Sequence, residues 1–382
     1  MNGGVIAPGA WLGLLGGGQL GRMFTMAAQS MGYRVAVLDP SDRAPAAAVA
    51  DRHIRGECTD QSALDELARL AQAVTTEFEN VPARSIAYLA ERCRVSPRAD
   101  AVEVAQDRIR EKEFVQSCGI PVVPWARATA RAEIERAPAE LFPGILKLSR
   151  LGYDGKGQAR VASREEALAA FDAFERRPCA LERLAPLERE GAVIVARRAP
   201  GDLVHFPVAE NRHARGILDT TIAPARIGRE LAERAAAAAE RIAERLDYVG
   251  VLCVEFFVLP RGELAVNEIA PRPHNSGHFT IDACITSQFE QQARILAGLP
   301  LGAATQHCPA VMVNLLGDLW RTGAPDWTKV LARPAAKLHL YGKDEPRPGR
   351  KMGHYTVLAG HVETAIETAE AIRAELGFQA RA

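Results

Sequence analysis

Two glutamates in the second half of the chain have the type and spacing of a metal-binding pair. Glu255 and Glu268 lie in two strand-like runs flanking residues 260–263, and a hairpin with this loop pairs Leu259 with Leu264 and Glu255 with Glu268. The opposed carboxylates repel each other, and hard divalent cations with oxygen ligands suit such a pair. We therefore predict a magnesium site at Glu255 and Glu268. The alternative, an exposed hairpin with two solvated acids, is disfavoured because apolar neighbours indicate a largely buried strand.

A lysine and a glycine-rich loop earlier in the chain have the composition of a phosphate-binding element. Lys147 interrupts an apolar strand, and glycines follow at 152, 155 and 157. Backbone N–H groups of such a loop can close over phosphate oxygens, while the lysine reaches the same charge. The loop lacks the Walker A pattern, and a flexible hairpin loop with a solvated lysine is the alternative. With the paired acids, however, it supplies the lysine, lid and magnesium platform that phosphoryl transfer requires.

A polar cluster follows the acidic hairpin directly, so we expect it to project into the same site. Arg272 can hold a carboxylate-like or phosphate-like anion through two hydrogen bonds. His274 and His278 also suggest zinc, but no third ligand accompanies them at a familiar spacing, so a zinc site is disfavoured. The cationic run at residues 347–354 is either a solvated face or a cap over an anionic substrate.

Another glycine-rich stretch, LLGGGQLGRM, lies near the start of the chain. Gly16, Gly18 and Gly21 fit the G-x-G-x-x-G spacing of a dinucleotide site, and Asp39 stands about where a ribose-binding acid is expected. A tight turn into a closely packed helix needs small residues whatever it binds. The triplet alone therefore leaves both an NAD site and another phosphate-facing or purely structural turn open.

The composition argues against several classes of protein. The chain has 382 residues, and its 47 Lys plus Arg balance its 47 Asp plus Glu, so neither a nucleic-acid partner nor an anionic membrane is indicated. No apolar run approaches the roughly 20 residues that span a bilayer, and residues 1–10 lack a signal-peptide pattern. The seven cysteines form no C-x-x-C pair, which favours reduced thiols. We expect a cytoplasmic protein.

The order of the predicted elements indicates several domains. Strand-like and helix-like segments alternate through residues 1–105, which predicts an open parallel sheet with helices on its faces. Residues 106–200 and 201–302 read as two α+β lobes, the first with the glycine loop and the second with the paired acids. Residues 303–382 read as a small β-rich domain with a last helix.

An ordered set of motifs resembles the N5-carboxyaminoimidazole ribonucleotide synthetase family of the ATP-grasp superfamily. The motifs are GGGQLGRM, QDRIREKEF, LKLSRLGYDGKGQ, VAENRHARGIL, VNEIAPRPHNSGH, NLLGD and RPGRKMGH. They extend from Trp11 to the final helix, nearly the whole chain. The resemblance implies an ATP-grasp fold of mixed α/β and α+β class, with an N-terminal Rossmann-like pre-ATP-grasp domain and a small C-terminal β-rich domain.

The resemblance also implies an activity. Such an enzyme carboxylates 5-aminoimidazole ribonucleotide with bicarbonate and ATP, through carboxyphosphate, in de novo purine biosynthesis. It would use two magnesium ions, act on small molecules and form a homodimer. Residues 16–20 would then face the ribonucleotide, and NAD would have no role.

The resemblance assigns site residues by motif match. Those implied to contact ATP are Arg108, Lys147, Gly152, Tyr153, Asp154, Gly155, Lys156, Gly157, Gln158, Glu182, Arg183, Leu184, Ala185, Glu190, His213, Asn267 and Glu268. Those implied to bind the ribonucleotide or the bicarbonate-derived intermediate are Gly18, Gln19, Leu20, Glu77, Asn80, Arg272, His274, Asn275, Ser276, Arg350 and Lys351. Tyr153, Asp154, Arg272 and Lys351 are the implied catalytic set, and Glu255 with Glu268 the metal ligands. Ala192 departs from the pattern, which commonly has serine there.

Three rival functions are weighed against this one. Another ATP-grasp purine enzyme, such as the formate-dependent glycinamide ribonucleotide transformylase, shares the lid and the acids but not PRPHNSGH followed by RKMGH. An NAD-dependent oxidoreductase leaves the paired glutamates and the second glycine loop unexplained. A non-catalytic nucleotide-binding protein would keep the lid and lose the acids, whereas this chain has both.

Overall fold

The computed structural model of the chain describes residues 4–150, 152 and 157–378, and it begins with alternating strands and helices. These are β1 (Trp11–Leu15), α1 (Gln19–Ser30), β2 (Arg34–Asp39), β3 (Arg52–Arg55), α2 (Gln61–Leu70), β4 (Ala73–Thr76), α3 (Ala83–Ala90), β5 (Arg94–Val95) and α4 (Ala99–Ala105). The five strands form one sheet in the order β3-β2-β1-β4-β5, with every pair parallel. This confirms the predicted open parallel sheet.

A helix and a four-stranded antiparallel sheet follow. The elements are α5 (Arg108–Ser117), β6 (Trp125–Ala128), α6 (Arg131–Glu135), β7 (Gly144–Leu148), β8 (Gln158–Val161), α7 (Arg164–Ala173) and β9 (Cys179–Arg183). The strand order is β6-β9-β7-β8, and helices α6 and α7 pack on the sheet. Its core includes Leu146, Phe171 and Leu181, so Lys147 on β7 stands between buried apolar positions.

A nine-stranded sheet contains the remaining strands. The elements are β10 (Arg189–Ala199), β11 (Asp202–His205), β12 (Ala209–Ala214), β13 (Ile217–Ala223), α8 (Arg229–Arg245), β14 (Gly250–Leu259), β15 (Glu263–Ala270), α9 (Thr280–Ala283), α10 (Gln288–Ala297), β16 (Ala310–Leu316), α11 (Thr328–Leu331), β17 (Ala336–Leu340), β18 (Lys351–Leu358) and α12 (Val362–Leu376). The order is β15-β14-β10-β12-β13-β16-β18-β17, with β11 paired to β10.

The sheets divide the chain differently from two of the expected domain boundaries. We expected β10 in the lobe that ends at residue 200, but it pairs with β14 and β12 of the nine-stranded sheet. The boundary at 302 also falls within one sheet, since β13 pairs with β16. An apolar run predicts a strand but does not specify its partner, because pairing joins residues distant in sequence.

Local signals explain the helix that enters the site. The side chain of Asp107 accepts hydrogen bonds from the backbone N–H groups of Ile109 and Arg110, which caps the start of α5. Helix α10 packs on α1, so the parallel sheet is held against the large sheet. Gln292 of α10 also donates to Thr75 Oγ1 of β4 at 2.8 Å. These contacts place the carboxyl ends of β1 and β4 beside the β14–β15 hairpin.

Two further features bear on the class of protein. No helix within the described ranges has the length and apolarity needed to cross a membrane. All seven cysteines are free thiols, and six of them are buried, as expected for small apolar side chains in a reduced protein.

Candidate active site

One large cavity collects most of the residues that the sequence singled out. Its volume is about 1310 Å³, and it is bounded by the parallel sheet, the four-stranded sheet and the nine-stranded sheet. The expected site residues that line it are Gln19, Leu20, Glu77, Asn80, Arg108, Lys147, Gly152, Gln158, Leu184, Glu190, His213, Glu255, Asn267, Glu268, Arg272, His274, Asn275 and Lys351. Three distant segments of the chain thus contribute charged groups to one space.

The acidic hairpin has the predicted opposition of its two glutamates but not the predicted register at its tip. Glu255 pairs directly with Glu268, whereas Leu259 pairs with Glu263 and not with Leu264. A β-bulge between Glu255 and Phe256 absorbs the difference of one residue. The bulge leaves Asn267 without a partner strand residue, and its Oδ1 atom is buried without a hydrogen bond.

The surroundings of the two carboxylates favour a cation between them. Burial and the charge of Glu268 raise the pKa of Glu255 to about 7. Glu268 Oε2 accepts from Arg108 Nη2 at 3.3 Å, and His274 Nε2 lies 3.7 Å from Glu255 Oε1. In the described part of the chain, no group of three or more His, Cys, Asp or Glu is arranged to hold a metal unaided. Two carboxylates with open positions for phosphate oxygens fit magnesium better than a closed protein cage.

Lys147 lines the cavity and is held by a buried carboxylate. Its Nζ donates to Glu182 Oε2 at 2.8 Å, and the other oxygen of Glu182 lies 3.1 Å from Lys112 Nζ. Burial raises the pKa of Glu182, but Lys147, Lys112 and Arg108 outweigh burial and lower it to about 2. Glu182 is therefore ionised and fixes the lysine that faces the expected phosphates.

Arg272 also lines the cavity and pairs with a glutamate that the sequence did not single out. Its Nε donates to Glu79 Oε2, and both side chains are mostly buried. Burial acts against the charged guanidinium, but Glu79 and Glu77 raise the pKa of Arg272, so it stays charged. A fixed buried cation beside open space can bind a carboxylate or a phosphate.

The first glycine turn is closed by carboxylates from its own domain. Glu77 accepts hydrogen bonds from the N–H groups of Gly18 at 2.8 Å and Gly21 at 3.1 Å. Asp39 Oδ2 accepts from Gly17 N at 2.7 Å. Asp39 therefore closes the turn and does not stand free as a ribose-binding acid, which disfavours the NAD interpretation. Gln19 and Leu20 line the cavity. The position of residues 16–20 against the ribonucleotide stays a prediction.

His213 and Glu190, both implied by the resemblance to contact ATP, meet in the cavity wall. Glu190 lies on β10 opposite Asn211 of β12, and the Nδ1 atom of His213 contacts Glu190 Oε2. Burial lowers the pKa of His213, but the hydrogen bond with Glu190 and the charges of Glu255 and Glu190 together outweigh burial, so the pKa is raised. Both side chains line the cavity, and together they offer a ribose hydroxyl one hydrogen-bond acceptor and one donor.

Several expected site residues lie elsewhere. Those that the structure describes but that do not line the cavity are Gly18, Gly157, Glu182, Arg183, Ala185, Ser276 and Arg350. Ser276 is fully buried, with its hydroxyl bonded to Asn211 and His274, and Arg350 donates to the Glu345 carbonyl oxygen at 2.8 Å. Substrate contact by Ser276 and Arg350 stays a prediction, although these hydrogen bonds engage both side chains within the protein. Tyr153, Asp154, Gly155 and Lys156 lie outside the described residues.

Three charged residues at the site were missed from the sequence, namely the buried Glu111 and Lys112 and the half-buried Glu79. Lys112 and Glu111 follow Arg108 at helical spacing, so one face of α5 carries all three. Glu111 accepts from the Ile269 N–H beside the metal-site strand, and Glu79 holds Arg272. The only local signal was low apolarity on the inward face of α5, which is also typical of a solvated helix.

His278 belongs to a packed ring cluster and not to a zinc site. Its ring centroid lies 4.9 Å from that of His354, which stacks on His339 at 4.5 Å. Tyr341 OH lies 3.0 Å from His354 Nδ1. His278 and His354 are fully buried, and burial with neighbouring cations or histidines lowers the pKa of both well below the ordinary value of 6.5.

The buried histidines predict a pH-dependent effect of substitution. Since folded His354 stays neutral whereas unfolded His354 binds a proton below about pH 6.5, its contribution to stability is present above that pH and is lost below it. We expect the free energy of unfolding of His354→Phe to rise relative to that of the wild type by up to about 1.4 kcal/mol for each pH unit below pH 6.5. Urea unfolding of both proteins measures this difference. The variant is compared with the wild type because the raised pKa values of Glu111 and Glu255 stabilise both proteins as the pH falls, which opposes the effect of His354. A difference constant with pH would contradict the prediction.

Comparison with known protein families covers the chain in three parts. Residues 10–106 match the ribonucleotide synthetase preATP-grasp domain, residues 113–289 the ATP-grasp domain, and residues 310–368 the phosphoribosylaminoimidazole carboxylase C-terminal domain. This combination confirms the fold expected from the motifs.

Curated and solved relatives extend over nearly the whole chain. The N5-carboxyaminoimidazole ribonucleotide synthase of Brucella melitensis is 48% identical over 357 residues, 92% of this chain and 97% of that protein. The enzyme of the same name from Bacillus subtilis is 42% identical over 355 residues, 93% of each chain.

Solved structures give the same result. An ADP complex of an N5-carboxyaminoimidazole ribonucleotide synthetase superposes with a TM-score of 0.91 at 41% identity, covering 97% of each chain. The Aspergillus clavatus N5-carboxyaminoimidazole synthase, in complex with ADP and 5-aminoimidazole ribonucleotide, superposes with a TM-score of 0.86 at 31% identity, covering 96% of this chain and 98% of that one. The chain therefore belongs to the N5-carboxyaminoimidazole ribonucleotide synthetase family of ATP-grasp enzymes.

Proposed function

We propose that this protein carboxylates 5-aminoimidazole ribonucleotide with bicarbonate and ATP, giving N5-carboxyaminoimidazole ribonucleotide, ADP and phosphate in de novo purine biosynthesis. One observation carries the proposal: a single cavity holds the opposed Glu255 and Glu268, the anchored Lys147 and the buried Arg272. The first three suit phosphoryl transfer, and Arg272 suits an anionic acceptor. A glycinamide ribonucleotide transformylase is disfavoured because the relatives that match over nearly the whole chain carry the aminoimidazole name.

The reaction proceeds in two steps whose charges the cavity can manage. A bicarbonate oxygen attacks the γ-phosphorus of ATP, the bond to ADP breaks, and carboxyphosphate forms. The exocyclic amine of the ribonucleotide then attacks the carbon of carboxyphosphate, or of carbon dioxide released from it. Phosphate leaves, and the amine loses a proton. Lys147 and Arg108 neutralise charge near the phosphates, and Arg272 holds the carboxyl group. We assign the positioning or deprotonation of the amine to Asp154.

Magnesium is part of the proposal because the donor set fits it. Glu255 and Glu268 would hold two ions together with ATP phosphates, and the unbonded Oδ1 of Asn267 is an additional oxygen donor at the same hairpin. When bound, magnesium would neutralise charge that develops on the transferred phosphoryl group. Removal of magnesium with a chelator is accordingly expected to stop turnover.

We propose separate ends of the cavity for the two substrates. ATP would lie between the four-stranded sheet and the hairpin, near Lys147, Leu184 and His213. The ribonucleotide would lie at the carboxyl edge of the parallel sheet, where ligands of such sheets bind, near Gln19 and Lys351. The glycine loop would then act as a lid that excludes water from carboxyphosphate, which otherwise hydrolyses.

The location and assembly of the protein are part of the proposal. Balanced charge and free thiols support a cytoplasmic protein that acts on small molecules and not on nucleic acid or a membrane. The family resemblance supports a homodimer, which sedimentation of the purified protein tests. We retain four domains as a proposal, with the boundary between the two lobes moved to the segment between β9 and β10.

ADP release in the presence of ATP, magnesium and bicarbonate tests the proposed function. We expect ADP release to depend on 5-aminoimidazole ribonucleotide, because its amine consumes carboxyphosphate and so allows turnover to continue. Two alternatives serve as competing substrates. One is glycinamide ribonucleotide together with formate, and the other is a nicotinamide cofactor. Turnover with either of these, and none with aminoimidazole ribonucleotide, would replace the proposal with the corresponding rival.

A further inference from the structure

We infer that Lys112 is a positioning residue for the nucleotide site, acting on Lys147 through Glu182. The Lys112 side chain is 1% exposed, and its Nζ lies 3.1 Å from Glu182 Oε1. Glu182 is equally inaccessible, and its second oxygen accepts from Lys147 Nζ at 2.8 Å. Of these three residues, Lys147 alone lines the cavity. Lys112 is therefore out of reach of substrate.

The charges of the three residues explain why a second lysine is present. Lys147 and Glu182 alone form a neutral pair, and its attraction for phosphate is weak because the carboxylate cancels the ammonium charge. Burial lowers the pKa of Lys112, whereas Glu182 at 3.1 Å favours its charged form. With a protonated Lys112 on the other carboxylate oxygen, two positive charges oppose one negative charge, so the group has a net charge of plus one. Glu182 can then fix the geometry of Lys147 without removing the positive potential that phosphate requires.

The position of Lys112 on α5 couples this group to the metal side of the site. Arg108, Glu111 and Lys112 lie on one face of the helix and contact two different sheets. Arg108 donates to Glu268 and Glu111 accepts from the Ile269 N–H, both on β15, whereas Lys112 contacts Glu182 on β9. One rigid helix therefore sets the distance between the lysine side and the carboxylate side of the nucleotide site.

The inference rests on the proposed function, since it assumes that ATP phosphates bind beside Lys147. Calorimetric titration with magnesium ADP tests it. We expect Lys112→Met to weaken ADP binding roughly tenfold, as loss of one unit charge at partly screened range implies. The KM for ATP should rise in parallel, whereas the KM for aminoimidazole ribonucleotide should not change. Glu113→Gln is the matched control, because Glu113 is the neighbouring residue on the exposed face of α5 and pairs with Arg127.

A double variant separates charge from folding. Lys112→Met with Glu182→Gln removes one charge of each sign and restores the net charge of plus one. It leaves no unpaired carboxylate at position 182, so it remains testable if Lys112→Met fails to fold. We expect it to bind ADP several-fold more tightly than Lys112→Met or, if that variant is unfolded, than Lys112→Gln. ADP binding by Lys112→Met within twofold of wild type, or a double variant no tighter than the single one, would overturn the inference. Equal loss of ADP and ribonucleotide affinity would reduce Lys112 to a structural role. Absence of ADP binding by the wild type would overturn the proposed function instead.

Discussion

Glu268→Gln is expected to lower kcat by roughly a thousandfold or more, because it removes one of the two carboxylates proposed to hold magnesium against the transferred phosphoryl group. The free energy of unfolding should change by no more than about 1 kcal/mol. Two effects offset each other here: the variant loses the 3.3 Å contact with Arg108 but also the repulsion from Glu255 directly opposite. Steady-state kinetics and urea unfolding measure the two quantities.

A neighbouring glutamate provides the control for this prediction. Glu263 lies at the exposed tip of the same hairpin, paired with Leu259, so Glu263→Gln makes the same chemical change away from the cavity. It should retain near-normal turnover. Near-normal turnover by Glu268→Gln would instead remove the paired carboxylates from the mechanism.

Arg272→Met is expected to lower kcat/KM for aminoimidazole ribonucleotide by at least about a hundredfold while ADP still binds, since a buried hydrogen-bonded charge at an anion site is worth several kcal/mol. The same variant should unfold about 2 kcal/mol more easily, because Glu79 is left without its cation. This is less than for a fully buried pair, since Glu79 remains 25% exposed.

Pairing the substitution with Glu79→Gln distinguishes these two effects. The double variant no longer has an unpaired carboxylate, so it should recover most of the lost stability but none of the lost activity. Thermal unfolding and initial rates on the same preparations provide the comparison. Recovery of activity together with stability would show that Arg272 acts on the fold and not on the substrate.

The sequence was sufficient to predict site residues whose chemical type is distinctive and whose partners lie close by in the chain. Glu255 and Glu268 are joined by a short loop, so strand alternation alone predicted their opposition, and the structure has it. The register beyond them was wrong by one residue because a bulge depends on local backbone conformation that residue types do not reveal. Lys147 could likewise be identified because a lysine within an apolar strand is conspicuous.

Partnerships between distant residues were beyond such reasoning. Arg272 and Glu79 are 193 positions apart, and each is an ordinary charged residue in its own segment. Lys112 lies in a polar helix whose pattern equally suits a solvated surface, and only the packed sheets show that this face is buried. β10 is an apolar run that either sheet could have accommodated. In each case the missing information was a tertiary contact, which no local pattern contains.

The fate of the bicarbonate oxygen tests the central claim most directly. With bicarbonate labelled in carbon-13 and oxygen-18, turnover should place the carbon on the exocyclic nitrogen of the aminoimidazole and one labelled oxygen in the released phosphate, because that oxygen attacks phosphorus. Nuclear magnetic resonance of the product and mass spectrometry of the phosphate detect both. A phosphate free of label, or a product without carbon-13 on that nitrogen, would contradict the account of this cavity as a carboxyphosphate site.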